Sequence, residues 1–376
     1  MKKILEGSRA IAETVNACLP AVISAYPITP QTHIVEELAQ IKADGEGDFE
    51  YIRAESEFAA ASIVQGASAA GVRTYTATCA QGLMLMTEVV FCIGGMRLPV
   101  VMTCANRAIS GPINIWNDQQ DAMTVRDSGW IMLYGEHNQE VCDLHILAFK
   151  IAEQLAIPVI VNLDGFILTH VVEPVEIESA TKIKKYLPAF SPKEFLDVNN
   201  PVTFGAFATP AHYFEIRKEL HDDLVASKEV IKEEMKKFGE IFDRELNLVE
   251  YSGDKDAETV IVAMGSVLGT IKETVAELKQ SGQKVGILKV VALRPFPGEE
   301  IKKKLVKAKN IAVIDKSISL GAEGILASEM RRVLGSEQKI TSFIMGLGGR
   351  DITKEMIKIV YKTAATTKES VVFVGK

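Results

Sequence analysis

The chain has 376 residues, 47% of them hydrophobic and 24% charged, and a formal net charge of -7. That length supports two domains with buried cores, the composition is that of a soluble globular protein, and the acidic balance argues against nucleic acid as the main partner. Glu6 follows Lys2 and Lys3 before any apolar core forms, and no run approaches the roughly 20 apolar residues of a membrane span, so we expect neither a signal peptide nor a membrane segment and place the chain in the cytoplasm.

In chain order, Val22–Tyr26 reads as a strand and His33–Ala43 as a helix. Between them Tyr26-Pro27-Ile28-Thr29-Pro30-Gln31-Thr32 carries two prolines that hold the backbone extended. Such a strand-to-helix loop is where ligands bind in α/β proteins, and the free N–H groups of the next helix favour an anion. Thr29 is therefore either a ligand-facing hydroxyl or the cap of a proline-stiffened turn. Glu57–Ala70 is an Ala- and Ser-rich helix opened by Glu55-Ser56-Glu57. One of these two carboxylates serves only the helix dipole. Glu57 leads into two turns with almost no polar residues, so it enters a buried environment and needs a donor, for which a cofactor nitrogen would serve. The small side chains of this helix imply dense packing on a sheet or a tight subunit interface.

Thr74–Thr78 is a short strand, Ala80–Gly94 a long apolar helix, Leu98–Cys104 and Pro158–Leu163 are apolar strands, and Glu140–Gln154 has helical spacing. Short apolar strands separated by helices indicate a parallel sheet covered on both faces. Arg107, at the end of the Leu98–Cys104 strand, is placed either to grip a carboxylate bidentately or to make an internal salt bridge. The segment from Gly111 to Asp121 is too polar and aromatic for core and reads as a functional loop. Glu173–Asn200 is a meandering connector, and Tyr213–Leu248 a charged amphipathic helix or helix pair. Tyr251–Asp256 reads as a hinge. A strand–helix–strand crossover follows, Thr259–Met264, a helix to Gln280, then Val285–Val290, with further strands at Ile311–Ile314 and Ile340–Met345. The domains expected are residues 1–210, a helical linker 211–254, and 255–376.

The five cysteines, Cys18, Cys79, Cys92, Cys104 and Cys142, form no CxxC pair, so no zinc or iron–sulfur ligand set is expected and the thiols read mostly as core. Of the six histidines, His170 is the most site-like, although all six read as core or surface residues. Gly346-Leu347-Gly348-Gly349-Arg350-Asp351 is a turn and not a nucleotide loop. A stand-alone NAD dehydrogenase lacks support, since no GxGxxG is present.

Nine separated motifs are collinear with one family. They are Tyr26–Pro30, Glu55–Glu57 with Gly66, Thr76–Leu83, Asn106–Ala108, Asn117–Asp121, Asp164–Phe166, Met264–Ser266, Arg294–Pro297 and Gly346–Asp351. In order and spacing the chain resembles, over its whole length, the alpha subunit of 2-oxoacid:ferredoxin oxidoreductases, nearest the pyruvate type. The resemblance implies a pyrimidine-type thiamine-diphosphate-binding domain followed by a transketolase C-terminal-like α/β domain. It implies CoA-dependent oxidative decarboxylation of a 2-oxoacid, with electrons passed to ferredoxin. Glu57 would be the carboxylate that bonds the cofactor's pyrimidine ring, and Thr29 and Arg107 would hold the substrate carboxylate, Thr29 also touching the cofactor.

The chain has no GDG segment for Mg²⁺ and diphosphate and no cluster cysteines. Partner subunits of beta, gamma and delta type would then supply the Mg²⁺ site and the [4Fe–4S] clusters, in a dimer of heteromers. A 2-oxoisovalerate or oxalate enzyme is the alternative substrate class, and a non-catalytic scaffold subunit the alternative role. The 2-oxoglutarate type carries Ser-Gly-Pro-Gly where this chain has Cys79-Ala80-Gln81-Gly82.

Overall fold

The computed structural model describes residues 2–375. Its strands, in chain order, are β1 Lys2–Glu6, β2 Val22–Ala25, β3 Glu50–Arg53, β4 Thr74–Thr78, β5 Val101–Asn106, β6 Ile131–Tyr134, β7 Val159–Asp164, β8 Val172–Glu176, β9 Val249–Gly253, β10 Thr259–Ala263, β11 Val285–Val290, β12 Ala292–Arg294, β13 Asn310–Asp315, β14 Lys339–Ile344 and β15 Val371–Phe373. They build a seven-stranded sheet in the order β12-β6-β7-β5-β4-β2-β3, a six-stranded sheet in the order β15-β14-β13-β10-β11-β9, and the small antiparallel pair β1-β8. Each large sheet is parallel except for one antiparallel edge strand, β12 in the first and β9 in the second. Strands β4, β5, β6 and β7 are buried along their whole length, as parallel strands covered by helices on both faces must be.

The two halves are not side by side as separate beads. Strand β12, from the second half, pairs with β6 at the edge of the first sheet, where the Tyr134 N–H also donates to the Val291 carbonyl at 2.8 Å. One continuous core runs from Trp130 and Met132 of the first sheet to Val260 and Leu288 of the second.

Several elements differ from the sequence expectation. The helix expected over Ala80–Gly94 is two, Ala80–Leu85 and Thr87–Gly95. Thr87 Oγ1 bonds back to the Leu83 carbonyl at 3.0 Å, a side-chain competition that bends helices. Tyr251–Gly253 belongs to strand β9 and is not hinge; only its end, at Gly253 with φ +90°, is turn-like. The connector after Glu173 contains β8 and a helix Ala180–Tyr186. The charged segment is one helix, Pro210–Phe242. The helix Gly7–Ala17 and strands β3 and β6 lie outside the elements expected from the sequence; of these, β6 is a short apolar run, which does not declare its type. Cys92 is exposed while the other four thiols are buried.

Candidate active site

The first sheet presents the carboxyl ends of four neighbouring strands, β5, β4, β2 and β3, to one rim, the place where open α/β sheets bind ligands. Each strand hands over one candidate group. After β3 the chain turns at Ser56, whose Oγ caps the helix Glu57–Ala69 by accepting from the Ala59 N–H at 3.2 Å. That cap places Glu57 at the first helical position, where it is only 7% exposed, whereas Glu55 is in solvent. The Glu57 carboxylate receives no hydrogen bond and forms no ion pair with any other described residue.

Glycine at position 82 is what makes room for it. A Cβ there would lie 2.7 Å from both Cγ and Oε1 of Glu57 and 2.5 Å from Thr78 Oγ1. Thr78 Oγ1, against the same glycine, and Gln81 Oε1, one residue before it in the chain, are buried with no hydrogen-bond partner among the described residues. Buried polar groups are ordinarily satisfied, so Glu57 and Thr78, both without partners among the described residues and both against one glycine, mark a place shaped for something else. In the helix that Glu57 opens, Ala60, Ala61, Val64 and Ser68 pack inward, while Gly66 faces open space.

The loop after β2 brings in Thr29. Gln31, fully buried, donates to the Ala77 carbonyl at 2.8 Å and accepts the Ile28 N–H at 3.2 Å, which locks the loop to β4. Thr29 is exposed, and no side chain caps the helix Thr32–Ala43, so the reading of Thr29 as a helix cap fails. The Thr29 carbonyl is held by Cys79 Sγ at 3.2 Å and by Arg107 Nη1 at 2.9 Å. Arg107, after β5, donates its Nε to the Asn114 carbonyl at 2.9 Å and makes no salt bridge with the described residues. Its guanidinium therefore pins the Thr29 loop to the Gly111–Trp116 loop.

Asp121 holds this arrangement from below. Fully buried, it accepts from the backbone N–H of Ala80 at 2.8 Å and of Arg107 at 2.9 Å, and from Asn106 Nδ2 at 2.9 Å. Burial pushes its carboxyl above the usual range, against the pull of these donors. The anchor lets Ala80 sit at φ +42°, unusual for a side chain with a Cβ. Nothing local in the sequence marks this role, which depends on two turns meeting in space.

Adjacent to the rim lies the seam with the second half. Asp164, at the end of β7, accepts from Lys316 Nζ at 3.1 Å, from Ser266 N–H at 2.9 Å and Oγ at 2.5 Å, and from Asn117 Nδ2 and Gln119 Nε2, both at 3.2 Å. Burial opposes ionisation of Asp164, but Lys316 and Ser266 hold its carboxyl below the ordinary value. Asp118 accepts the Gly348 N–H at 3.1 Å, and Gln120 Oε1 accepts that of Ile318 at 2.9 Å. Burial lifts Asp118 to about 6. The loop singled out as functional is therefore, from Asn117 to Gln120, the latch between the halves. The Gly346–Asp351 turn is its strike plate, with Gly349 so close to Trp116 that a Cβ would lie 2.3 Å from that side chain.

Residues 13–236 match the family described as pyruvate flavodoxin/ferredoxin oxidoreductase, thiamine diphosphate-binding, and residues 257–357 match pyruvate:ferredoxin oxidoreductase core domain II. The pyruvate synthase subunit PorA of Methanocaldococcus jannaschii is 49% identical, over 99% of this chain and 97% of that protein. The ketoisovalerate oxidoreductase subunit VorA of Pyrococcus abyssi is 42% identical, over 98% of this chain and 95% of that protein. A solved structure of 2-oxoglutarate:ferredoxin oxidoreductase from Magnetococcus marinus superposes with a TM-score of 0.72 at 22% identity, covering 96% of this chain and 65% of that one. It shares the α/β fold. No helix among the described residues is long and apolar enough to cross a membrane.

Proposed function

Because this chain belongs to the pyruvate:ferredoxin oxidoreductase family, we propose that it is the alpha-type subunit of a multi-subunit enzyme that oxidatively decarboxylates pyruvate, in the presence of CoA, to acetyl-CoA and CO₂, with electrons passing to ferredoxin. One observation carries this reading: a carboxylate, Glu57, buried without a donor among the described residues next to a glycine that leaves it room. A protonated ring nitrogen would satisfy it. Thiamine diphosphate, when bound, supplies the centre on which the bond between the carboxylate and the 2-oxo carbon is broken. The residues present fit its aminopyrimidine end, with Thr78 and Gln81 offering two further acceptors.

Glu57 then holds a proton at the ring nitrogen, a step of the kind typically worth about 10²–10⁴-fold. Arg107 has spent Nε and Nη1 on carbonyls, so its remaining N–H groups face the carboxylate of the 2-oxoacid, and its rigidity fixes the orientation of that carboxylate. The Thr29 hydroxyl adds a neutral donor beside it. Asp121 positions both turns without touching substrate. Beta-, gamma- and delta-type partners supply Mg²⁺, diphosphate binding and [4Fe–4S] clusters, and the open face at Gly66 is one surface where such a partner fits. The assembly is a cytoplasmic dimer of heteromers.

The test is viologen reduction by the assembled complex with CoA and, in turn, pyruvate, 2-oxoisovalerate, 2-oxoglutarate and oxalate. Preference for pyruvate supports the reading, and preference for 2-oxoisovalerate replaces its substrate. Glu57→Ala in the same complex should lower turnover more than about tenfold with assembly intact. Unchanged turnover would leave the chain a scaffold. Arg107→Lys should raise KM and lower kcat, since an ammonium cannot hold two loops and a carboxylate at once.

A further inference from the structure

Three side chains from three separate elements meet beside the Thr29 loop and have no part in the chemistry above. They are Glu6 at the end of β1, His33 in the first turn of the helix Thr32–Ala43, and His170 in the turn after β7. One ligand-capable atom of each lies within 4.8 Å of the other two. Glu6 Oε1 is 2.7 Å from His33 Nδ1, and the two imidazole rings lie 4.7 Å apart between centroids. No lysine or arginine pairs with Glu6 among the described residues.

His170 is held in place by its neighbours. Its Nδ1 lies 2.6 Å from Thr169 Oγ1, which in turn accepts the Phe166 N–H at 2.9 Å. Its ring also lies 4.8 Å from that of Phe166. With Nδ1 engaged by the Thr169 hydroxyl, Nε2 is the nitrogen left for a ligand, since the hydrogen bond on one ring nitrogen settles which of the two is free.

We propose that Glu6, His33 and His170 form a binding site for one divalent transition-metal ion of the zinc class. Two imidazole nitrogens and one carboxylate suit a borderline ion such as Zn²⁺ or Co²⁺, whereas Mg²⁺ and Ca²⁺ select all-oxygen sets. One anionic and two neutral ligands leave a net charge for a dication to neutralise. Three protein ligands leave a fourth position open. The ion clamps the end of β1, the turn after β7 and the helix that begins three residues after Thr29, and so stiffens the loop that presents Thr29.

The test uses the full chain after chelation and dialysis, titrated calorimetrically with ZnCl₂ and, separately, MgCl₂, with Co²⁺ absorption as the spectroscopic readout. Wild type should bind one more Zn²⁺ than His33→Gln, His170→Ala or Glu6→Gln, or bind it at least about tenfold more tightly. MgCl₂ should give no binding heat. Zn²⁺ should raise the melting temperature of wild type and leave that of the variants where it was. Cys92→Ser should bind like wild type, which removes the exposed thiol as the source. Should His170→Ala lower the metal-free melting temperature, Glu6→Gln and His33→Gln, whose side chains are partly in solvent, carry the comparison. Equal Zn²⁺ stoichiometry and affinity in all variants, or no Zn²⁺ bound by wild type, overturns the site and leaves an ion pair beside a stacked ring.

Discussion

Two polar regions sit at the same end of the same sheet and are built in opposite ways. At the seam, Asp164 collects five donated hydrogen bonds, and Asn117, Asp118, Gln119 and Gln120 each reach across to the second half or bond a group that does. At the rim, the Glu57 carboxylate, Thr78 Oγ1 and Gln81 Oε1 have no hydrogen-bond partner among the described residues. Buried polar clusters that satisfy themselves hold structure together, and those that do not are kept open for a ligand, at a cost to the empty protein.

That contrast can be broken most forcefully at Glu57. Glu57→Gln keeps the shape and replaces a carboxyl that has no partner among the described residues, so the chain should be as stable as wild type or more so in chemical denaturation. Turnover of the assembled enzyme should nevertheless fall about 10²–10⁴-fold. A loss of stability with turnover retained would mean that Glu57 belongs with the seam.

Lys316→Met makes the opposite move. It leaves Asp164 charged and buried without its cation, and should cost about 3–5 kcal/mol in denaturant unfolding. Gly82→Ala lies between the two: its Cβ must displace Glu57 or Thr78, and the overpacking should cost about 1–3 kcal/mol and weaken thiamine binding measured by fluorescence titration.

The smallest effect is expected at Asp118. Burial raises its folded value to about 6, above the ordinary 3.8, so the folded chain binds more protons than the unfolded one between these values. This contribution is fully present below pH 4 and is lost as pH rises through 6. Asp118→Asn should flatten the dependence of melting temperature on pH across that window. An unchanged slope would show that Asp118 is not the group responsible.

The placement of three rim residues is legible in the sequence. Glu57 was marked by the apolar residues that follow it, and Arg107 and Thr29 by their places after strands. These are local signals, and the structure does bring the three to neighbouring strand ends. What stayed hidden was pairwise and distant. Asp121 looks like any loop carboxylate until two turns 27 residues apart converge on it, as the numbering of Ala80 and Arg107 shows. The Asn117–Gln120 loop looked functional because it is polar, yet its partners lie in the second half. His170 stood out in the sequence, but nothing local could reveal Glu6 and His33 beside it.

Strand β12 has a consequence for how the protein is made. On a ribosome, the edge of β6 emerges roughly 160 residues before the strand that covers it, which at about 5–20 residues per second is on the order of ten to thirty seconds. Throughout that interval the first sheet shows an unpaired, largely apolar edge, Ile131-Met132-Leu133-Tyr134, of the kind that recruits foreign strands. The chain therefore finishes its first domain only after it has begun its second, and a nascent chain truncated before Ala292 should be a far better client for a chaperone than the completed one.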